Sequence, residues 1–268
     1  MTLNEISKRL ADANIEDHRY EAILLIEELE GGTASEDKDY VSERLISAVG
    51  KRCERYPLQY ILGKWWFARC TFFVDENCLV PRADTELIVE LAMKNLPQGA
   101  RFADLCTGSG CIAVATLDLR SDTVADAYEL YPKTLDLAKK NAELNKVGDR
   151  FTPILCDVLK NDALGEKKYD AIISNPPYIR SDVIPTLEKE VLTEPKAALD
   201  GGEDGLIFYR SIVENFGKNL EDDGFFLFEI GYDQAEDITK IANEHGYSCK
   251  IYKDLGACDR AALLRRER

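Results

Sequence analysis

From about residue 100 onward, the sequence alternates short apolar runs with loops that contain glycine or proline and with stretches of helical periodicity. The apolar runs predict strands at residues 101–105, 123–129, 151–155, 169–174, 224–230, 247–252 and 260–265. Strands that alternate with helices in this way form a parallel sheet covered on both faces. The pattern therefore predicts an α/β fold with a doubly wound, Rossmann-like sheet of seven strands. Ligands of such sheets bind at the carboxyl ends of the strands, near the switch in strand order.

The N-terminal part has a different, helical pattern. A Thr2–Glu5 capping box predicts a first helix, and apolar residues at helical spacing predict two more, within residues 18–30 and over roughly residues 37–54. The last of these helices would bury an apolar face formed by Val41, Leu45, Ile46 and Val49.

Aromatic and β-branched residues follow at residues 63–80 and predict a hairpin. We therefore expect a small N-terminal helical domain with a linking hairpin at residues 1–80, and the sheet domain at residues 81–268. A chain of 268 residues that is 45% hydrophobic has enough core for one large and one small domain.

The composition also limits the partners and the compartment. There is no run of 18 apolar residues, and the N-terminal segment MTLNEISKRL lacks the long apolar core of a signal peptide. We therefore expect a cytoplasmic protein with no membrane partner. The formal net charge of −15 is the opposite of what a protein needs to bind a phosphate backbone, so we expect no direct contact with nucleic acid.

The eight cysteines do not indicate a disulfide framework or a metal site. No C-x-x-C pair occurs, and the two histidines, His18 and His245, lie far apart in the sequence and away from any cysteine cluster. We expect reduced, mostly buried thiols and no structural metal.

Three segments at predicted strand ends have the residue types of a nucleoside-binding site. The loop in "DLCTGSGCIAVA" (104–115) has two glycines at a helix start, where backbone N–H groups can meet a ligand. Its spacing is not G-x-G-x-x-G, and no Walker lysine follows. Glu129 ends the second strand, where an acid can accept from a ribose diol. Asp157 follows the third strand and can accept from an exocyclic amine such as adenine N6.

The segment "IISNPPYI" (172–179) places an amide side chain before two prolines, directly after an apolar strand. Proline fixes φ and lacks a backbone N–H, and it forces the preceding residue into an extended conformation. Asn175 and Pro176 are therefore both held extended at the end of the strand. A rigid turn that serves only to end the strand is the alternative interpretation.

Several segments together carry a family resemblance. They are "PLQYILG" (57–63), "VPRADTELIVE" (80–90), "DLCTGSGCIAVA" (104–115), "NPPYI" (175–179), "EPKAALDGGEDGL" (194–206), "FEIGYDQ" (228–234) and "DLGACDRAALLRR" (254–266). With them the chain resembles class I S-adenosylmethionine-dependent methyltransferases, and more closely the HemK/PrmC family. The N-P-P-Y tetrapeptide occurs in several amino-methylating families, whereas the P-R-x-D/E-T-E and E-P-x-x-A-L segments are far more specific.

The resemblance implies an enzyme that transfers a methyl group from S-adenosyl-L-methionine to the N5 amide nitrogen of the glutamine in the Gly-Gly-Gln motif of peptide-chain release factors. It implies a release factor as the protein partner, and we expect the enzyme to be a monomer. Residues 1–80 would then recognise the substrate protein, because one side-chain amide offers too little surface for selectivity.

The resemblance also implies roles for individual residues. The loop that wraps the methionine part of the cofactor would be Cys106, Thr107, Gly108, Ser109 and Gly110. Glu129 would hold the ribose, and Asp157 with Val158 would border the adenine. The family usually has glycine where Cys106 stands, and this departure would alter cofactor affinity if the backbone there needs positive φ. The substrate amide would be bound by Asn175, Pro176, Pro177 and Tyr178, with Asn175 also bordering the cofactor.

A glutamine amide nitrogen is a poor nucleophile because its lone pair is delocalised into the carbonyl group. Two acceptors that hold both N–H bonds would turn the nitrogen toward the methyl donor, and Asn175 Oδ1 and the Pro176 carbonyl can be these acceptors. Pro177 has no N–H and keeps the carbonyl of Pro176 pointing outward, and the ring of Tyr178 can cover the planar amide.

Three alternatives remain at this stage. An adenine-N6 DNA methyltransferase uses a similar tetrapeptide but needs a surface for duplex DNA, which an acidic chain does not offer. A glutamine methyltransferase that acts on a ribosomal protein has the same chemistry. A non-catalytic cofactor-binding protein would bind stoichiometrically without turnover.

Overall fold

The computed structural model describes residues 1–160 and 162–267. The helices are α1 (Leu3–Asp12), α2 (His18–Glu30), α3 (Glu43–Cys53), α4 (Leu58–Leu62), α5 (Glu86–Asn95), α6 (Cys111–Leu119), α7 (Pro132–Leu144), α8 (Lys189–Leu192), α9 (Ile207–Phe216) and α10 (Ala235–Glu244). The strands are β1 (Lys64–Phe67), β2 (Cys70–Phe73), β3 (Arg101–Leu105), β4 (Val124–Glu129), β5 (Phe151–Leu155), β6 (Tyr169–Ser174), β7 (Leu220–Glu229), β8 (Tyr247–Lys253) and β9 (Asp259–Arg266).

The large sheet has seven strands in the order β5-β4-β3-β6-β7-β9-β8. The chain leaves β3 toward β4 and β5 on one side, and β6 and β7 lie on the other, which is the switch in strand order of a doubly wound fold. The predicted fold class is therefore confirmed. The expectation of an entirely parallel sheet is wrong, because β9 is antiparallel to both β7 and β8. A short turn joins β8 to β9, and such a turn can join only antiparallel neighbours.

The sheet is covered on both faces because its strands are apolar at successive residues. In β7, Phe225 and Leu227 belong to the core under α5, α6 and α7, whereas Phe226 and Phe228 belong to the core under α9 and α10. Successive side chains of a strand point to opposite faces, so a continuous apolar run buries both. The two layers of helices leave the carboxyl ends of the parallel strands free for a ligand.

The N-terminal helices have a hydrophobic core of their own, and α1 begins at the predicted Thr2–Glu5 capping box. The predicted third helix starts too early, because the Ser42 side chain caps α3 by accepting from the Leu45 backbone N–H. Val41 therefore lies before the helix and is 79% exposed, and Ile46 is 42% exposed on its outer face. The predicted apolar face is wrong at these two positions and correct at Leu45 and Val49, which are buried.

The hairpin β1–β2 packs on the sheet domain. Phe67 and Phe72 belong to the core under α5, α6 and α7. The side chain of Asn141 on α7 accepts from the Phe73 backbone N–H at 2.7 Å and donates to the Phe73 carbonyl at 3.0 Å. Trp65 contacts this core and that of the N-terminal helices. The division at residue 80 stays a prediction.

A buried cation also joins the N-terminal helices to the segment that follows N-P-P-Y-I. Arg52 on α3 donates to Glu21 on α2 at 2.6 Å and to Glu190 on α8 at 2.9 Å. Its guanidinium is held charged, because the two carboxylates raise its pKa against the opposing effect of burial. Removing one partner of a buried ion pair strongly destabilises the folded protein, because the other charge is left buried and unpaired.

All eight cysteines are free thiols, but the expectation that most are buried is wrong. Cys70 and Cys78 are buried, Cys258 is exposed, and the remaining five are half-buried. Two of the half-buried ones, Cys106 and Cys156, directly follow strands and line a cavity. Among the described residues, no helix has the length and apolar character that crossing a lipid bilayer requires.

Candidate active site

A cavity of about 350 Å³ opens at the carboxyl ends of β3, β4, β5 and β6, at the switch in strand order. This volume is in the range of small-molecule sites. The predicted site residues that line it are Cys106, Thr107, Gly108, Ser109, Glu129, Asp157, Val158, Asn175 and Pro177. Three predicted site residues, Gly110, Pro176 and Tyr178, are not among the residues that line it.

The loop after β3 passes repeatedly through the left-handed region. Cys106 has φ +58°, Gly108 +57° and Gly110 +81°. Gly110 lies directly before α6, and a Cβ atom there would be 3.3 Å from Cβ of Ala138 on α7. Gly110 therefore permits close packing of the two helices. Cys106 has the same left-handed backbone with a side chain attached, and that conformation is strained for an L-residue, whereas glycine, which has no Cβ, adopts it freely.

Asp104, at the end of β3, holds the loop in place. Its Oδ2 accepts from Thr107 Oγ1 at 2.6 Å and from the Ala113 backbone N–H at 3.3 Å. Its Oδ1 has no hydrogen-bond partner among the described residues. Burial raises the pKa of this carboxyl to about 7, against the lowering effect of the two donors. Asp104 was not among the predicted site residues.

Glu129 caps the turn after β4 with both carboxylate oxygens. Its Oε1 accepts from the backbone N–H groups of Leu130 at 2.9 Å and Tyr131 at 3.1 Å, and its Oε2 accepts from Gly108 at 3.1 Å. Burial raises its pKa, and the three N–H groups oppose that shift. A carboxylate has about four acceptor positions, so one remains for a ligand hydroxyl.

Most of the surface that lines the cavity is apolar. Val158 is buried and Asp157 accepts from the Leu159 backbone N–H at 3.0 Å. Four thiols also line the cavity, those of Cys78, Cys106, Cys111 and Cys156. Burial raises the pKa of each, that of Cys78 to about 12, so the thiols are neutral. A planar ring with few polar atoms suits such a lining.

Asn175 is half-buried and lines the cavity, whereas the two prolines after it are buried. Its Nδ2 donates to Thr85 Oγ1 at 3.4 Å, which leaves its Oδ1 as the free end of the amide. Within residues 1–160 and 162–267, no hydrogen bond reaches Asn175 Oδ1 or the Pro176 carbonyl oxygen. Two neighbouring acceptors are therefore without protein donors.

The "EPKAALDGGEDGL" segment fixes the backbone of N-P-P-Y-I from behind. The Ile179 N–H donates to the Leu199 carbonyl at 2.9 Å, and the Gly201 N–H donates to the Ile179 carbonyl at 2.8 Å. Gln234 Nε2 donates to the Tyr178 carbonyl at 3.1 Å. A Cβ atom at Gly205 would be 2.4 Å from that carbonyl oxygen, so glycine is required for this approach.

Glu229, at the end of β7, faces the same segment from the protein interior. The Tyr178 hydroxyl donates to its Oε1 at 3.4 Å, and its Oε2 has no hydrogen-bond partner among the residues that the structure describes. Burial raises the pKa of the Glu229 carboxyl to about 7, whereas Thr85, Arg260 and Tyr178 lower it. Thr85 and Glu229 were not predicted as site residues, although both belong to segments that carry the resemblance. The signal for Glu229 is that this acid ends the apolar run "FFLFE".

A second buried acid joins the "VPRADTELIVE" and "EPKAALDGGEDGL" segments. Glu194 accepts from the Val80 backbone N–H at 2.9 Å and from the Arg82 guanidinium. Arg82 also lines the cavity. Over the described part of the chain, no group of three or more His, Cys, Asp or Glu side chains has an arrangement that could hold a metal ion.

Comparisons with known proteins identify relatives. The model of the family "Methyltransferase small domain" matches residues 83–214. A release factor glutamine methyltransferase of Agrobacterium fabrum is 34% identical over 278 residues, which covers 97% of this chain and 94% of that protein. A release factor glutamine methyltransferase of Fusobacterium nucleatum is 36% identical over 239 residues. The matched region covers 86% of this chain and 65% of the Fusobacterium protein. The crystal structure of a methyltransferase from Pyrococcus furiosus has the same fold, with TM-score 0.56 and 17% identity over 74% of this chain and 90% of that one.

Proposed function

The chain belongs to the family of release factor glutamine methyltransferases, and we propose on this basis that it transfers a methyl group from S-adenosylmethionine to the N5 amide nitrogen of the glutamine in the Gly-Gly-Gln motif of a peptide-chain release factor. The observation that carries the proposal is a pair of acceptors without protein donors, Asn175 Oδ1 and the Pro176 carbonyl. The pair lies beside a cavity whose lining suits a nucleoside-containing ligand.

The residues present fit the cofactor. S-adenosylmethionine, when bound, supplies a methyl group on a positively charged sulfur. The loop from Cys106 to Ser109 would hold the methionine part, because all four of its residues line the cavity just before the start of α6. The remaining acceptor position of Glu129 suits a ribose hydroxyl. Asp157 and Val158 would border the adenine.

The acceptor side holds the glutamine amide. Asn175 Oδ1 and the Pro176 carbonyl each accept one of its two N–H bonds, which fixes the direction of the third nitrogen position. Positive charge develops on the nitrogen as its bond to the methyl carbon forms and the carbon–sulfur bond breaks, and the two acceptor dipoles stabilise it. A proton then leaves the nitrogen for solvent. Pro177 keeps the carbonyl of Pro176 fixed because it has no N–H of its own.

The structure supports a more indirect role for Tyr178 than covering the amide. Its ring packs against the core under α9 and α10, and its hydroxyl donates to Glu229. Its backbone carbonyl accepts from Gln234. Tyr178 therefore holds the segment on which the two acceptors lie.

We assign the recognition of the folded release factor to residues 1–80, with the enzyme acting as a monomer in the cytoplasm. The N-terminal helices form a separate core, and Arg52 connects them to α8, in the segment that continues toward the cavity lining. The surface of an 80-residue domain can supply the selectivity that a single side-chain amide lacks.

Incubation with labelled S-adenosylmethionine and a whole-cell extract, followed by mapping of the labelled residue, tests the proposal. We expect the label on the glutamine of a release factor. A label on a ribosomal protein would keep the chemistry and change the substrate, and a label on DNA only would contradict the proposed function. Stoichiometric binding without turnover would indicate a non-catalytic protein.

The Asn175→Ala variant, compared with Asn175→Asp, tests whether Asn175 Oδ1 accepts from the substrate amide. Turnover should fall about 10²–10³-fold, as on loss of one preorganised hydrogen-bonding group, with cofactor affinity nearly unchanged. Asn175→Asp keeps an acceptor and should retain more activity than the alanine variant but less than the wild type. An alanine variant within a few-fold of the wild type would mean that Asn175 does not hold the nucleophile.

A further inference from the structure

Helix α8 is only four residues long, and two carboxylates on and just after it bond to different parts of the molecule. Glu190, within the helix, accepts from Arg52 Nη1 on α3 at 2.9 Å. Glu194, just after the helix, accepts from the Val80 backbone N–H at 2.9 Å and from the Arg82 guanidinium, which lines the cavity. This segment is therefore attached at one end to the N-terminal helices and at the other end to the cavity lining.

The path from α8 to N-P-P-Y-I is short and hydrogen-bonded along its length. The Glu194 N–H donates to the Val191 carbonyl at 3.0 Å, and the Leu199 N–H donates to the Lys196 carbonyl at 3.0 Å. The Leu199 carbonyl accepts from the Ile179 N–H at 2.9 Å. The residues along this path that line the cavity are Pro195, Ala197 and Ala198. A displacement of α8 therefore reaches both the cavity wall and the segment that carries the two acceptors.

The contact at the Arg52 end of this path is charged and largely buried. The side chains of Arg52 and Glu190 are 8% and 18% exposed, and Arg55 Nε forms a second ion pair with Glu190 Oε1 at 2.5 Å. Charge-assisted hydrogen bonds are roughly twice as strong as neutral ones. Arg52 also donates to both carboxylate oxygens of Glu21 on α2, at 2.6 Å and 3.0 Å. Loss of Glu190 would therefore leave Arg52 paired within the N-terminal helices and release α8 from it.

We propose that Glu190 is a positioning residue through which the N-terminal helices align the acceptor side of the site. This inference rests on the proposed function, in which those helices recognise the release factor. Through α8 they also hold the cavity wall at residues 195–198 and the backbone of Ile179, which follows the two acceptors. The helices then contribute to the rate of methyl transfer as well as to substrate binding.

Rates of release factor methylation, measured over a range of release factor concentrations at saturating cofactor, separate these two contributions. In Glu190→Ala we expect turnover at saturating release factor to fall about tenfold. The remaining contacts of the segment should keep its displacement below the roughly 1 Å that costs about 10²-fold. KM for release factor should change less than turnover, because the helices keep their own core and the pair of Arg52 with Glu21. A raised KM with unchanged turnover would mean that the helices act in recognition only, and would overturn the proposal.

Glu188→Ala is the matched control, because Glu188 lies directly before α8 and its carboxylate is 76% exposed, 3.5 Å from Arg55 Nη2. An exposed ion pair contributes little, so this variant should methylate at the wild-type rate. Glu190→Gln keeps an acceptor without the charge and should be about threefold slower than the wild type, since a neutral hydrogen bond is roughly half as strong. It carries the test if Glu190→Ala does not fold. Equal rates for the Glu190 variants and the control would refute the positioning role.

Amide hydrogen exchange provides a measurement that does not depend on methylation. The N–H groups of Ile179 and Gly201 are bonded to the carbonyls of Leu199 and Ile179. We expect both to exchange faster in Glu190→Ala than in Glu188→Ala, with equal exchange along β3 in the two variants. Unchanged exchange at these two positions would contradict the coupling to α8. A wild-type enzyme that leaves release factor unmethylated would instead refute the proposed function, whatever the exchange result, so the two failures are distinguishable.

Discussion

Gly205→Ala is the sharpest test of how N-P-P-Y-I is held. Gly205 has φ +76°, and a Cβ atom there would be 2.4 Å from the Tyr178 carbonyl oxygen and 2.8 Å from Gln234 Nε2. Ordinary van der Waals contact begins at 3.4 Å. The Tyr178 carbonyl therefore has to move by about 1 Å, a displacement large enough to disturb the alignment of reacting groups. Its hydrogen bond from Gln234 moves with it.

Gly99→Ala is the matched control, because Gly99 has φ +70° and nothing lies within 4 Å of its added Cβ. Both variants carry the cost of a left-handed alanine, about 1–2 kcal/mol. The Gly205 variant adds the cost of overpacking, about 1–3 kcal/mol. In urea titrations we therefore expect the Gly205 variant to be less stable than the Gly99 variant by about 1–3 kcal/mol.

The two variants should also separate in activity. A 1 Å displacement of positioned groups can cost about 10²-fold in rate, so methylation of release factor should fall by this factor in Gly205→Ala and stay near the wild-type rate in Gly99→Ala. Cofactor affinity, measured by calorimetry, should be the same in both, as Gly205 does not line the cavity. A Gly205 variant that folds and methylates within a few-fold of the Gly99 variant would refute the argument that this glycine positions the acceptors.

Two further substitutions test the cofactor side. Glu129→Ala removes the proposed ribose acceptor and should weaken cofactor binding by about 1–3 kcal/mol in calorimetry, whereas an unchanged affinity would remove Glu129 from the site. Cys106→Gly should unfold at higher urea concentration than Cys106→Ala, with a difference of about 1 kcal/mol, because both lack the thiol and only glycine relieves the left-handed backbone. Equal stability of the two Cys106 variants would show that φ +58° is not strained there.

The strands were predictable because buried parallel strands have continuous apolar runs, and β3, β5 and β6 begin and end where the sequence indicates. The start of β7 was not predictable. It begins at Leu220, four residues before the prediction, and includes the polar run "EDD". Its register with β6 shifts between Tyr169 and Ala171, and Gly224 sits against the backbone of Glu221. A polar segment that pairs through an irregularity has no apolar period to reveal it.

The candidate site was predictable as far as strand ends are concerned. Glu129 and Asn175 end or follow apolar strands, and the topology of a doubly wound sheet brings such ends together. Thr85 was not predictable, since it lies 90 positions from Asn175 and contacts it only through the packing of the turn before α5. Pairings of this separation depend on the tertiary structure and leave no local period in the sequence.

The negative charge that argues against a nucleic-acid partner also has a local consequence at the cavity. Two of its lining thiols interact electrostatically with four buried carboxyl groups: Cys78 with Glu129 and Glu194, and Cys111 with Asp104 and Glu229. Burial is the largest cause of the raised pKa of both thiols, and each acid in its charged form raises it further, which is a negative contribution to the potential at the cavity wall. A phosphate would be repelled there, whereas a sulfonium ion, and a nitrogen that gains positive charge during methylation, would be stabilised. The same excess of acids therefore disfavours a polyanion on the surface and favours a cation in the site.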